Sequence, residues 1–433
     1  MDTIIALASA PGLAGVSVIR LSGPQAFSII GKLHNKSKEA IANPRTIQYG
    51  NLQDVDDAMI VAFPAPHSYT GQDVIELFSH GNPLIVEQIV DLTIARGARP
   101  AEPGEFTKRA YLNNRLDLVQ AEAVGDLIHA SSTQALALAR NQMGGAWSQQ
   151  VISIEKQVLA IMAHASAWLD FGEEDISDFS GKDVAKELEP IIKQIESWVN
   201  GAAAATVIRD GFKVALVGLP NTGKSSLLNA LAGFDRAIVT DIAGTTRDTI
   251  EHQLHINGYL VELIDTAGLR NSDDQVEAIG IERTKVAAST AHAVLVLHGP
   301  NQDLAELEKQ LPAHAVRVDV QTKSDLITDS AITIQTSAKT GQGIDTLRAK
   351  LGELAAQAAH SESAITANAR QLAALNQAHT ELQKAHQAAL ADTPLDLLSV
   401  HLSAAAEALA SITGTHTSEA MLDAVFSTFC IGK

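Results

Sequence analysis

The run Gly218-Leu219-Pro220-Asn221-Thr222-Gly223-Lys224-Ser225 fits G-x-x-x-x-G-K-[ST] and carries the sharpest chemistry in the chain. Its glycines let backbone N–H groups turn inward around a phosphate. Lys224 then reaches the β- and γ-phosphates, and the Ser225 hydroxyl ligates Mg2+. Asp265-Thr266-Ala267-Gly268 adds a carboxylate for the Mg2+ water shell and, on Gly268, an N–H for the γ-phosphate. Thr322-Lys323-Ser324-Asp325 reads a base. Asp325 can accept both the N1–H and the exocyclic amine of guanine, which adenine cannot offer, while the Lys323 stem packs on the ring. Ser337-Ala338-Lys339 brings a backbone N–H to guanine O6. Together these choose GTP over ATP.

Such residues need a strand ahead of the glycine loop and a helix behind it. Phe212–Val217 is an apolar strand, and Tyr259–Ile264 and Ala293–Leu297 repeat the pattern between helices. The block Ile208–Gly352 therefore reads as a doubly wound α/β sheet. On either side the texture is helical: Leu118–Met143, Ser148–Phe171 and Val184–Gly201 before it, and a similar texture after Ala355. In Ala367–Ala391, Leu372, Leu375, His379, Leu382 and His386 recur at spacings of three and four. Leu398, Leu402, Ala405, Leu409 and Ile412 do the same in a helix that Pro394 starts and Gly414 ends. Neither helical part covers its apolar face alone, so the economical account is a helical bundle interrupted by an inserted α/β domain. Linkers open to protease are expected near Ala202–Ala205 and Gln357–Ser363. Ahead of all this, Thr3–Ala8, Gly15–Leu21, Met59–Phe63 and Asp73–Phe78 read as strands, with helices near Gln25–Leu33 and Pro83–Gly97. That is a small α+β or α/β unit.

The 433 residues are 46% hydrophobic, which excludes wholesale disorder and suffices for several cores. No run approaches a membrane span, Met1-Asp2-Thr3 opens no signal peptide, and one cysteine excludes an internal disulfide, so a cytoplasmic location is expected. A net charge of −18 argues against broad phosphate tracking along nucleic acid. It leaves room for a local basic patch of Arg96, Arg99, Lys108, Arg109 and Arg115.

Taken with Gly244-Thr245-Thr246-Arg247-Asp248, these motifs resemble the five G boxes of a translation-factor-class GTPase, in the group of Era, EngA and the tRNA modification GTPase MnmE (TrmE). The ends of the chain choose the last of these. Pro11–Gly23, Tyr69-Thr70-Gly71-Gln72-Asp73, Gly104–Ala110, Leu116–Ala123 and Phe429-Cys430-Ile431-Gly432-Lys433 resemble that family, in its domain order. Era would need a basic RNA-binding tail and EngA a second G domain.

The resemblance implies residues 1–117 as an α/β dimerisation and tetrahydrofolate-binding domain. Residues 118–207 and 355–433 would form a discontinuous helical bundle, and 208–354 an inserted Ras-like doubly wound P-loop GTPase domain. It assigns GTP contacts to Asn221, Thr222, Gly223, Lys224, Ser225, Ser226, Thr240, Asp241, Ile242, Ala243, Gly244, Thr245, Thr246, Asp265, Thr266, Ala267, Gly268, Thr322, Lys323, Asp325, Ser337, Ala338 and Lys339. Ser225 and Thr246 would hold Mg2+. Leu269 stands where Ras-like enzymes place glutamine and cannot orient water, so the charge developing on the phosphates needs another partner. The resemblance supplies K+, held by Asn221, Thr240, Ile242 and Thr245, and a water-positioning Glu277 with Asp273, Asp274 and Glu282 as local rivals. Arg20, Glu76, Arg115 and Lys433 would hold 5-formyltetrahydrofolate, standing in for the one-carbon donor, which could also be the 5,10-methylene form. Cys430 reads either as a buried small hydrophobe or as a participant in one-carbon chemistry.

A homodimer, joined by the FAD- and NADH-using partner MnmG in a heterotetramer, would add an aminomethyl or carboxymethylaminomethyl group to C5 of the wobble uridine of certain tRNAs. A ribosome-assembly GTPase and a folate-responsive regulatory GTPase stand as alternatives. Three departures mark this chain: Thr322 for the commoner Asn, Arg115 for Lys, and Ser79-His80-Gly81-Asn82 for a His-Gly-Gly pattern. A hydroxyl at Thr322 can still tie the base loop to the phosphate loop, so affinity rather than specificity should change.

Overall fold

Alternating apolar residues in the amino-terminal part build a six-stranded sheet in the computed structural model, which describes residues 2–171, 180–233, 251–265, 289–300, 302, 304, 315–327, 331–360, 367–391 and 393–433. Its strands are β1 (Ile4–Leu7), β2 (Ala14–Ser22), β3 (Gln48–Leu52), β4 (Asp56–Phe63), β5 (Val74–Gly81) and β6 (Arg99–Pro100), in the order β3-β4-β5-β2-β1-β6. All pairs are antiparallel except β1 with β6, which settles the arrangement as α+β. The strand period of two divides the side chains. Ile5, Ile19, Leu21, Ile60, Ile75 and Leu77 pack in one core with α1 (Ala26–Ile30) and α3 (Pro83–Ile94). Ile4 and Ala6 face the other way, onto Phe106 of α4 (Glu105–Leu112). Arg20, between Ile19 and Leu21, is thereby turned toward the Phe106 face.

The chain divides into two compact units: Met1–Ile128, Asn141–Ile191 and Gln377–Lys433 form one, His129–Arg140 and Ile192–Asn376 the other. In the first, α7 (Ala146–Phe171) packs along α12 (Leu395–Thr413). Leu398, Leu402, Ala405, Leu409 and Ile412 are all fully buried, as their spacing predicts. Each large apolar side chain among them contributes roughly 1.5–3 kcal/mol. In α11 (Ala369–Leu390) the buried stripe is Leu375, Ala378, Leu382, Ala385 and Ala389, not the predicted line through His379 and His386. Small alanines allow close helix approach, and the two imidazoles sit at the half-buried flank.

Two other expectations change. The run Leu118–Met143 is two helices, α5 (Leu118–His129) and α6 (Thr133–Met143), because the Ser132 hydroxyl accepts the Ala135 N–H (3.1 Å) and starts a new helix. Ala202–Ala205 is no linker: it lies inside α8 (Gly181–Asp210), with Ala202, Ala204 and Ala205 buried. Poly-alanine there is packing, not flexibility.

The second unit holds β7 (Phe212–Val217), α9 (Lys224–Gly233), β8 (Glu251–Ile256), β9 (Tyr259–Asp265), β10 (Ala293–His298), β11 (Val316–Gln321), β12 (Ile334–Gln335) and α10 (Ile344–Ala358). The sheet order is β12-β11-β10-β7-β9-β8, parallel throughout except for β8. Val214, Leu216, Leu263, Leu295 and Val320 form its core with Leu227 and Leu231 of α9 and Leu347 and Leu351 of α10. This is the expected doubly wound sheet. Among the described residues, no helix is long and apolar enough to cross a membrane.

Gly414 closes α12 at φ 91°, and a Cβ there would meet the Tyr111 hydroxyl at 2.7 Å and Leu118 Cβ at 2.8 Å. Gly414→Ala is expected to lower stability by about 2 kcal/mol, read as a denaturant midpoint shift at unchanged slope. An unchanged midpoint would contradict this packing.

Candidate functional site

β7 delivers the chain to the glycine loop at the carboxyl edge of the parallel sheet, where doubly wound folds bind ligands. Gly223 sits at φ 95° and Asn221 at φ 62°, so the loop turns back sharply before α9 begins at Lys224. Thr222 is fully buried and its hydroxyl donates to the Leu219 carbonyl, fixing the turn. The Lys224 ammonium folds over the loop onto the carbonyls of Gly218 (2.6 Å) and Leu219 (3.1 Å). Ser225 and Ser226 lie exposed in the first turn of α9. The dipole and amino-terminal N–H groups of a helix start favour an anion.

The base-reading loop is bonded directly to this one. Thr322 Oγ1 lies 2.6 Å from the Thr222 carbonyl and 3.1 Å from that of His298. One hydroxyl proton serves one acceptor at a time, and the shorter contact is the bond to the phosphate loop. Lys323, at φ 53°, donates from Nζ to the Asn221 carbonyl at 2.8 Å. Asp325 is exposed, and its Oδ1 accepts from the hydroxyl of fully buried Ser337 at 2.7 Å. β12, paired to β11 at Val320↔Ile334, brings Ser337, Ala338 and Lys339 to this carboxylate. Asp265 ends β9 opposite Leu216 of β7, so its backbone lies one strand from the phosphate loop. Thr240, Asp241, Ile242, Ala243, Gly244, Thr245, Thr246, Thr266, Ala267, Gly268 and Glu277 lie outside the described residues.

A second cluster forms on the Phe106 face of the amino-terminal sheet. Arg20 and Glu76 stand opposite each other on β2 and β5, and Arg20 Nε and Nη2 both donate to Glu76 Oε1 (3.0 and 2.8 Å). The guanidinium also lies 5.4 Å from the Tyr69 ring centre and 5.6 Å from that of Phe106. Its Nη1 donates to the Gly432 carbonyl at 3.4 Å. The carboxyl-terminal segment is held by its backbone: Gly104 N–H donates to Cys430 O (3.4 Å) and Phe106 N–H to Lys433 O (3.1 Å). Gly432, at φ 95°, lies so close to β1 that a Cβ would stand 2.1 Å from Leu7 O. Arg115 is exposed beside Gly71.

Sequence reasoning missed Tyr69 and Phe106 as partners of Arg20; both lay within quoted motifs, but only folding turns their rings to the guanidinium. The packing reading of Cys430 is overturned. Cys430 is exposed, and its neighbour Phe429 takes the buried place instead. Three of the five residues of the expected basic patch are paired with carboxylates instead. Arg109 is buried and donates to Glu105 (2.8 Å) and Asp2 (2.7 Å), Arg99 binds the same two carboxylates, and Lys108 pairs with Asp423. Hydrogen bonds from Arg99, and then Arg109, hold the Asp2 carboxyl down at about 2. Burial pushes Glu105 up, but the same arginines outweigh it and leave its carboxyl below the usual range.

Known proteins match this chain along nearly its whole length. The MnmE helical domain family matches residues 118–430, and the family described as GTP-binding protein TrmE N-terminus matches residues 3–115. The tRNA modification GTPase MnmE of Neisseria meningitidis serogroup B is 41% identical over 450 residues, covering 100% of this chain and 99% of that protein. Its namesakes from Methylibium petroleiphilum and Azoarcus sp. are each 40% identical, across 100% of this chain and 98% of theirs. With two family matches that together span nearly all of it, and relatives matched from end to end, this chain belongs to the tRNA modification GTPase MnmE family.

Proposed function

We propose that this chain is a K+-activated GTPase which, with an FAD-containing partner, modifies C5 of the wobble uridine of certain tRNAs from a tetrahydrofolate one-carbon donor. The observation that carries the nucleotide half is the bonded pair of loops. Thr322 and Lys323 fix the base reader to the phosphate loop, so guanine and phosphates are grasped as one ligand. Lys224 exchanges two backbone carbonyls for phosphate oxygens when GTP arrives. Ser225, exposed at the start of α9, offers Mg2+ a hard oxygen, and Thr246 completes that set. Asn221, turned outward at φ 62°, offers an amide oxygen suited to K+, with Thr240, Ile242 and Thr245 as its companions. K+ supplies positive charge beside the phosphates, and Glu277 positions the attacking water.

The donor set on the amino-terminal sheet suits a folate. Both Arg20 bonds end on Glu76 Oε1, leaving Oε2 to accept from a pterin N–H. Arg115 and Lys433 add cations for its carboxylates, and the exposed Cys430 thiol stands in the same carboxyl-terminal segment. When bound, the folate supplies the one-carbon unit; the protein orients it. Residues 1–117 form the dimerisation domain, 118–207 and 355–433 the helical domain, and 208–354 the GTPase domain of a cytoplasmic homodimer joined by MnmG.

Asp325→Asn is expected to weaken GTP binding at least a hundredfold while improving xanthosine triphosphate, and Thr322→Val to weaken both GTP and GDP about fivefold without admitting ATP. Competition against labelled GDP reads both; retained guanine preference in Asp325→Asn would refute the base reader. Turnover should need K+, with Na+ ineffective, and Glu277→Ala should lose about a hundredfold in kcat at constant nucleotide affinity. Equal rates in the two salts would remove the cation. Finally, bulk tRNA from a strain lacking this protein should lose the wobble modification. Arg20→Ala should fail to restore it and should bind 5-formyltetrahydrofolate at least tenfold more weakly while still hydrolysing GTP; unaltered wobble uridines would end the proposal.

A further inference from the structure

The β8–β9 hairpin lies in sequence between Gly244–Asp248 and Asp265–Gly268, the motifs assigned above to the nucleotide. β8 begins at Glu251, three residues after the Gly244–Asp248 motif, and β9 ends at Asp265, the first residue of Asp265–Gly268. Six residue pairs, from Glu251↔Ile264 to Ile256↔Tyr259, join the strands without a bulge. Among the described residues β8 is the sheet edge and pairs only with β9, so the hairpin is a stiff lever held to the sheet along one side. At about 3.3 Å per residue its tip stands roughly 20 Å from Asp265.

That tip, Asn257-Gly258, is held between two helices. On one side is α10, where a Cβ on Gly352 would stand 2.7 Å from both Ile256 Cγ2 and Asn257 Nδ2. On the other is the start of α6. The Gly258 carbonyl accepts from the Gln134 N–H at 3.3 Å and from the Thr133 hydroxyl at 3.3 Å. Gly258 itself, at φ 85°, has no room for a side chain: a Cβ would lie 2.6 Å from Thr133 Oγ1. Ser132, buried, caps the same helix start and fixes its direction.

We infer that Thr133 and Gly258 are positioning residues for GTP hydrolysis, acting through the hairpin that α6 holds. In P-loop GTPases the segments around the γ-phosphate reorder when it departs. A stiff hairpin rooted in both must tilt with them, and a tip clamped by two helices resists or follows. The α6 contact therefore has a different free energy in the two nucleotide states, and reciprocity requires that moving α6 alters the preference between them. α6 begins in the nucleotide-binding unit, and its last residues, from Asn141, belong to the other. The contact thus lies at the start of a helix whose chain continues into α7.

The test uses the full chain with GDP and with GppNHp, in Mg2+ and K+. Gly258→Asn keeps a residue tolerant of positive φ but puts bulk against Thr133. Thr133→Val keeps shape and removes the hydroxyl. Amide exchange over residues 129–140 in the wild type should differ at least threefold between the two nucleotides. Gly258→Asn should abolish that difference, shift the ratio of GDP to GppNHp dissociation constants three- to tenfold, and lower kcat more than it changes KM. Thr133→Val should move the ratio the same way, about twofold, and carries the test if Gly258→Asn does not fold. The inference is overturned if residues 129–140 exchange alike with both nucleotides. It is equally overturned if Gly258→Asn loosens α6 while the ratio and kcat stay at wild-type values.

Discussion

The bond from Thr322 to the Thr222 carbonyl is the constraint on which the nucleotide site depends. It joins two loops a hundred residues apart in sequence, and both ends are buried. A buried carbonyl without a partner costs about 1–3 kcal/mol, so the two loops are far more stable together than apart. The Lys323 ammonium on Asn221 O adds a second tie at the exposed side. In the function proposed above, base recognition and phosphate recognition are therefore not independent: a nucleotide with the wrong base would strain the loop that holds its phosphates.

Charge follows a similar economy in the amino-terminal unit. The chain carries 32 Lys and Arg against 50 Asp and Glu, yet Arg20, Arg99 and Arg109 there are each held by a carboxylate. Arg99 and Arg109 close the sheet against Asp2 and Glu105, while Arg20 is held in place by one carboxylate and two aromatic faces. A guanidinium so restrained loses little entropy when a ligand arrives, which favours affinity without added contacts. An acidic surplus of this size disfavours broad phosphate tracking along nucleic acid.

How much of this was legible in the sequence depended on whether a residue's role was local. β7 was readable to the residue, because a doubly buried parallel strand is a continuous apolar run. The Gly414 cap was readable because a left-handed helix end asks for glycine. β3 was not, since Gln48–Leu52 is polar and its Tyr49 is exposed at a sheet edge. β6 is two residues long and exists only because β1 lies beside it. Adjacent arginines look like a patch until their carboxylates, one of them ninety-seven positions away, fold onto them. In the same way the exposure of Cys430 is set by Gly104 and Phe106, which bond the backbone around it and leave the thiol outside.

The hairpin tip shows how a contact made of weak parts can still transmit a state. Two hydrogen bonds at 3.3 Å, one from a surface hydroxyl, are each worth about 1 kcal/mol at most. Allosteric couplings of about 1–3 kcal/mol need no more than that, provided the contact differs between states. What makes it differ is steric. Neither Gly258 nor Gly352 could carry a Cβ without meeting an atom at 2.6–2.7 Å, so movement of the turn toward either helix soon meets repulsion. Close packing converts a small tilt at the phosphates into a choice at the tip, and glycine at both contact points is what permits packing that close.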